Sequence, residues 1–157
     1  KCWNPRAELK PSREYGFGLG QLTITSRFDN FKEAKGWDET LAGWKWDNRF
    51  DAEMQLRALV AYDRNLYRSV RFGRSEIDRL SFMFSAYNGG LGGLLKDRRL
   101  CASTPGCNPD RWKGHVELNS FRARTAVKGY GKSFFEINRE YVHNIMVVRS
   151  PKYRGAM

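Results

Sequence analysis

Ser75-Glu76-Ile77-Asp78-Arg79-Leu80-Ser81-Phe82-Met83-Phe84-Ser85-Ala86-Tyr87-Asn88-Gly89-Gly90 is the stretch on which the fold class turns. Ser75 suits a helix N-cap, and Asp78 sits three residues on, where a carboxylate meets the positive end of the helix dipole. Leu80, Met83, Phe84 and Tyr87 recur at helical spacing and predict a buried face. Gly89-Gly90 is a stop signal. Working outward, Asp51 caps a predicted helix running to about Arg71, with Met54, Leu59, Val60, Leu66, Tyr67 and Val70 as its apolar stripe. A shorter helix is expected over about Leu91 to Leu100, and another near Asn119 to Val127. A last one is expected from about Lys132 to Val148, with Phe135, Ile137, Tyr141, Ile145 and Val148 facing inward and Pro151 closing it. Residues 28–50 read as a short helix and a loop rich in tryptophan. Residues 1–27 are turn-rich, and Leu22-Thr23-Ile24-Thr25 reads as a short strand or a helix start. The whole predicts one mainly α domain over residues 1–157, with an irregular, Gly-rich N-terminal edge.

Composition narrows the classes. The chain has 157 residues, 41% hydrophobic and 14% aromatic, which excludes a disordered polymer. No stretch approaches the roughly 18 apolar residues of a membrane span. Lys1-Cys2-Trp3-Asn4-Pro5 has no apolar leader run and reads as the middle of a domain. The net charge is +11, which speaks to partners rather than to fold. Nucleic acid, anionic lipid and the phosphate-bearing bacterial envelope are the polyanions it would attract. No helix-turn-helix, zinc finger or aromatic RNA-binding motif accompanies the charge, so no nucleic-acid partner is expected. From residue 111 onward the bases are Arg111, Lys113, Arg122, Arg124, Lys128, Lys132, Arg139, Arg149, Lys152 and Arg154, against Glu117, Glu136 and Glu140. That end is either a solvated cationic face or an anion-binding surface.

Three cysteines leave one over. Cys101 and Cys107 flank a loop whose Pro105-Gly106 turn brings them together, and they read as a short-loop disulfide of an oxidising compartment. With only His115 and His143 as histidines and no second cysteine pair, a metal site is not expected. Cys2 is then either a free thiol or paired with a segment upstream.

Two segments carry candidate chemistry. In Ser12-Arg13-Glu14-Tyr15-Gly16-Phe17-Gly18-Leu19-Gly20-Gln21-Leu22-Thr23, glycines at every second position let a backbone approach a ligand closely. Gln21 offers a donor and an acceptor to hydroxyl or acetamido groups, and Glu14 is a nearby carboxylate. The alternative is a tight turn with Glu14 ion-paired to Arg13 or another arginine. In Ser85–Gly90, Tyr87 can aim its hydroxyl into a cleft and Asn88 can read a sugar, or the pair is a buried helix end with an Asn cap. Trp37, Trp44 and Trp46 are read equally as sugar-stacking platforms and as core.

Together these segments resemble the superfamily of soluble lytic transglycosylases and goose-type lysozymes. There a catalytic Glu opens E-S-x-x-N-P, a Gly-rich stretch ends in G-L-M-Q, and a helix ends in A-Y-N-x-G. Here Trp3-Asn4-Pro5 matches the aromatic-Asn-Pro, Gly18-Leu19-Gly20-Gln21 matches the second motif with Gly for Met, and Ala86-Tyr87-Asn88-Gly89-Gly90 matches the third, so the likeness covers roughly residues 3–90. The wording Arg13–Gly18 and the cysteine loop look closer to bacteriophage cell-wall lysins. The resemblance implies a lysozyme-like helical fold and cleavage of peptidoglycan glycan strands, in the periplasm or outside the cell, by a cofactor-free monomer. It implies that Tyr87 assists the acid, that Gln21 and Asn88 bind N-acetyl sugars, and that Gly18 and Gly20 shape a groove between the glycine turn and the Tyr-Asn helix. It puts the main catalytic Glu at or just before Lys1, together with a partner for Cys2. Within the chain Glu14 is the first candidate acid and Glu8 the second.

Rival readings differ in what they need. A hydrolytic muramidase needs a second acid, for which Glu14 or Asp29 would serve. A non-catalytic glycan-binding or virion structural module would keep the fold and release nothing from the wall.

Overall fold

A computed structural model describes residues 3–10 and 14–153 of the chain. Cys2 and Arg13, and with them the questions of a partner for Cys2 and an Arg13–Glu14 pair, lie outside the described residues. The fold is mainly α, as expected. By contact density the chain divides into two compact units, Lys1–Asn65 and Leu66–Met157. Among the described residues no helix is long and apolar enough to cross a membrane.

The first unit begins with a small antiparallel sheet of strands β1 (Glu8–Leu9), β2 (Tyr15–Phe17) and β3 (Leu22–Ile24), in that order. Glu8 pairs with Phe17 and Leu9 with Gly16; Tyr15 pairs with Ile24 and Phe17 with Leu22. The predicted strand near Leu22 is therefore real; it pairs with β2, which in turn pairs with β1, two strands that the sequence reading leaves as turns. Alternation along β2 sends Phe17 into the core. There it meets Phe31 at 5.9 Å between ring centres, and Phe31 meets the buried Trp44 edge-on at 4.8 Å. Helix α1 (Asn30–Ala34) brings Phe31 and Ala34 to this cluster. Its N-cap is Asp29, whose carboxylate accepts from Lys32 N at 3.0 Å. Leu41 and Trp44 come from the loop that follows, and Ala58 and Ala61 from helix α2 (Ala52–Ser69). Fully burying each large apolar side chain here contributes roughly 1.5–3 kcal/mol. The predicted stripe of α2 is partly displaced: Val60 is 55% exposed, and Gln55 is buried in its stead.

In the second unit, helix α3 (Glu76–Gly89) starts and stops where its sequence predicts. Ser75 Oγ accepts from Asp78 N at 3.1 Å, and Asp78 reaches on to accept from Trp112 N at 2.8 Å. Phe82 is its fully buried anchor, packed on Phe72 and Trp112. Gly90 takes φ +77°, a left-handed value open to glycine, and turns the chain directly into α4 (Leu91–Ala102). Cys101 and Cys107 form the expected disulfide, with Cα atoms 5.3 Å apart.

Two helix expectations need correction. Asn119 to Val127 is not helical; one 3-10 turn, Val116–Leu118, precedes irregular chain. The reason is Asp97, buried on α4: Ser120 Oγ and Phe121 N both donate to its carboxylate at 3.0 Å, which draws this segment out as an irregular chain across α4. The last helix, α5, is regular only over Phe134–His143 and continues as a π-helical turn through Asn144–Arg149. Its deepest face is polar. Asn138, Arg139 and Val142 are buried, Phe135, Ile137, Tyr141 and Ile145 are half-buried, and Val148 is 50% exposed. Burial of Arg139 follows from its pairing with Asp97 at 3.0 Å, a partner no helical periodicity can reveal.

Candidate functional site

The glycine turn Gly18-Leu19-Gly20-Gln21 joins β2 to β3. Gly18 has φ +76° and Gln21 φ +49°, the only positive φ outside glycine among the described residues. Gln21 N donates to Gly18 O at 3.2 Å and Gln21 Nε2 to the same oxygen at 2.8 Å. One N–H of the Gln21 amide is thus spent holding the turn, while its exposed position leaves the side chain at the surface. Gly20 lies half-buried between them.

The residue that fixes this turn is Gln55, which the sequence reading passes over as a polar position on α2. It is 2% exposed and its amide is fully engaged. Oε1 accepts from Leu19 N at 2.8 Å; Nε2 donates to Pro5 O at 2.8 Å and to Arg49 O at 2.9 Å. One buried amide therefore ties the Asn4-Pro5 segment to the glycine turn. A Cβ on Gly18 would stand 2.5 Å from the Gln55 amide carbon. Glycine at 18 is required by this packing as well as by its φ.

The carboxylates of this unit differ. Glu14 is half-buried immediately before β2. Glu8 is accepting from the Tyr15 hydroxyl and pairs with Lys10 at 3.1 Å, and these contacts hold its carboxyl below the usual range. An ionised Glu8 is poorly suited to donate a proton to a leaving sugar oxygen. Asp29 is occupied as the α1 cap. Asp63 on α2 behaves in the opposite way. Burial raises its pKa to about 6, and its buried Oδ1 has no hydrogen-bond partner among the described residues. It lies eight residues beyond Gln55, about 12 Å along the helix, and so away from the turn. Nothing in the sequence marks it out.

The tryptophans divide. Trp44 is core at 1% exposure, and Trp37 stacks on Tyr62 with ring centres 4.6 Å apart. Trp46 is partly exposed, edge-on to Phe17 and Phe31, with the Arg49 guanidinium over its ring at 4.5 Å.

In the second unit, Tyr87 is half-buried and lies parallel to Tyr141 with ring centres 6.0 Å apart. Asn88 is exposed, and its Oδ1 accepts from Asn138 Nδ2 at 3.0 Å. A Cβ on Gly89 would lie 2.1 Å from Arg122 Nη2 and 2.9 Å from Asn138 Nδ2, so those side-chain ends would have to shift to admit one. Arg122 Nη2 donates to Gly89 O at 3.1 Å and its Nη1 pairs with Asp97. The helix end is thus held by groups from α4, α5 and the 120–122 segment. Several bases of the cationic end are paired internally: Arg122 and Arg139 share Asp97, Lys132 pairs with Glu140 at 2.6 Å, and Lys113 with Glu117 at 3.6 Å. Among the described residues no group of three or more His, Cys, Asp or Glu is placed to hold a metal ion.

No family model matches the chain, and no solved structure matches it. Curated proteins do. A membrane-bound lytic murein transglycosylase F of Actinobacillus pleuropneumoniae serotype 5b is 35% identical over 112 residues, 68% of this chain and 23% of that protein. Proteins of the same name from Histophilus somni (strain 2336) and Vibrio cholerae serotype O1 (classical Ogawa 395) are 36% identical over 103 residues and 31% over 101; each match takes in 62% of this chain and, respectively, 21% and 19% of the relative. The chain therefore spans about a fifth of the length of the relatives it matches, and over some two thirds of its own length it is similar to membrane-bound lytic murein transglycosylases.

Proposed function

We propose that this chain cleaves the MurNAc–GlcNAc bond of bacterial peptidoglycan without consuming water, leaving a 1,6-anhydro-MurNAc end. The observation that carries the reading is the likeness to lytic murein transglycosylases over 68% of the chain. The three quoted motifs support it. A carboxyl kept neutral delivers its proton to the glycosidic oxygen as the C1–O bond breaks. The substrate's own acetamido oxygen stabilises the cation at C1. The carboxylate then takes the proton of the 6-hydroxyl as O6 closes on C1. Proton and electron pairs balance, and no cofactor enters.

In this reading the principal acid is the Glu that the resemblance puts ahead of Asn4, and Glu14 is the carboxylate within the chain that serves with it. Tyr87 orients the acid or the acetamido group. Gln21 and Asn88 bind N-acetyl sugars; Gly20 keeps the turn bare enough for a glycan to pass, and Gly18, packed on Gln55, gives the turn its shape. The site of action is the periplasm or the outer side of the envelope, on glycan strands, with the free basic residues favouring an anionic wall. The relatives compared are bacterial, so the likeness to phage lysins rests on Arg13–Gly18 and the cysteine loop alone.

The test is digestion of purified sacculi by the chain produced with the residues encoded before Lys1. Soluble muropeptides are expected from the wild type. Tyr87→Phe is expected to lower the release rate at least tenfold with an unchanged melting temperature. A wild-type rate in that variant removes Tyr87 from the site, and no release by the wild type ends the proposal.

A further inference from the structure

Asn138 on α5 belongs to none of the motifs, yet it is 1% exposed and its side-chain amide is fully used. Its Oδ1 accepts from Arg139 Nη1 at 2.6 Å and from Ser85 Oγ at 2.9 Å. Its Nδ2 donates to Ser85 O and to Asn88 Oδ1, both at 3.0 Å. An amide has two N–H donors and one carbonyl with two lone pairs, so all four valences are met. The orientation admits no reversal. A guanidinium offers only donors, so the carbonyl end must face Arg139, and the NH2 end must face Ser85 O and Asn88. Arg139 is itself fixed by Asp97, Val116 O, Glu117 O and Asn119 O at 2.8–3.1 Å.

The consequence falls on Asn88. With an N–H2 pointed at it from a buried neighbour, Asn88 must turn its own carbonyl inward and carry its NH2 on the exposed side. We infer that Asn138 is a positioning residue that makes Asn88 a hydrogen-bond donor to the ligand, so that the helix end selects groups bearing an acceptor oxygen, such as an acetamido carbonyl. This rests on the proposed glycan-cleaving function for its ligand but not for its geometry. A sugar whose acetamido group has been converted to an ammonium presents a donor in place of that acceptor and is disfavoured at this position.

Asn138→Asp inverts the arrangement. One carboxylate oxygen still accepts from Arg139 and Ser85 Oγ, while the other loses the bond to Ser85 O, a loss common to both backgrounds below, repels Asn88 Oδ1 and accepts from Asn88 Nδ2, which turns that amide over. On soluble glycan strands N138D is expected to raise KM about tenfold with kcat within about twofold, the signature of lost uniform binding. In an Asn88→Ala background the same change is expected to alter KM less than about twofold. A purely structural role for Asn138 predicts equal losses in both backgrounds, and that result overturns the inference.

A second measurement needs neither turnover nor a variant. In the 15N spectrum of the wild type, the Asn138 side-chain NH2 is expected to exchange slowly with water and the Asn88 NH2 rapidly. Rapid exchange at Asn138, or protection at Asn88, contradicts the proposed orientation. If the exchange pattern holds while the wild type releases nothing from sacculi, it is the proposed function that fails and not the positioning.

Discussion

The glycine turn at residues 18–21 and the end of α3 at residues 85–90 are both matched to motifs of one superfamily, but they are held in opposite ways. The turn is fixed through backbone: Gly18 and Gln21 take positive φ, and Gln55 grips main-chain atoms of Pro5, Leu19 and Arg49. The helix end is fixed by a side-chain network: Asn138 bonds Asn88 and Arg139, Arg122 bonds Gly89 O, and Arg122 and Arg139 meet on Asp97. Backbone restraint tolerates almost no substitution at the glycine itself. A side-chain network instead concentrates its sensitivity in a distant carboxylate.

The carboxylates sharpen the contrast. Asp97 is buried and satisfied by two arginines, Ser120 Oγ and Phe121 N. Asp63, in the other unit, has a buried oxygen without a partner among the described residues and a pKa raised to about 6 by burial. The first has its carboxylate oxygens met by charged and hydrogen-bonding partners, whereas burial of the second disfavours its charged form relative to water.

The largest effect expected is for Asp97→Ala. It leaves the Arg139 and Arg122 charges uncompensated, and breaking a buried pair in this way costs roughly 3–5 kcal/mol. Urea denaturation should show that loss; a cost under about 1 kcal/mol would mean that the network is not what secures the helix end. Gly18→Ala should cost roughly 2–3 kcal/mol, from the left-handed backbone and the collision with Gln55. A neutral outcome would show that the turn relaxes and that backbone restraint is not its basis.

Asp63→Asn should be the smallest and of opposite sign. Because the folded pKa of about 6 lies above the ordinary 3.8, the folded state holds the proton more tightly. Stability from this group is therefore present below about pH 4 and lost as pH rises toward 6. The full shift converts to about 3 kcal/mol at 1.36 kcal/mol per unit, and partial exposure reduces it to roughly 1–2 kcal/mol. The variant should gain that much over wild type at pH 7 and little at pH 4, by parallel urea titrations. A gain independent of pH would remove burial of the charge as its cause.

Local signals were legible and distant ones were not. Ser75, Asp51 and Gly89-Gly90 mark helix ends because caps act within a few residues. The disulfide was legible from its short turn. Strands β1 and β2 are not legible because Glu8-Leu9 is only two residues long and Tyr15–Phe17 sits within a glycine-rich run, whereas β3 carries the β-branched Thr23 and Ile24. The segment after Asn119 was misjudged because Asp97, more than twenty positions earlier, takes its donors. Gln55 and Asn138 were missed for a shared reason: an amide buried among distant polar partners looks, in sequence, like any exposed polar residue on a helix. The site motifs were visible only as wording, and the residues that give them their shape lie outside them.

The most direct test of the proposed chemistry is mass spectrometry of the glycan ends released from purified sacculi by the chain with its encoded upstream residues. Ends lighter by one water than reducing MurNAc, as 1,6-anhydro rings are, are the predicted result. Reducing ends, with water incorporated, would contradict it.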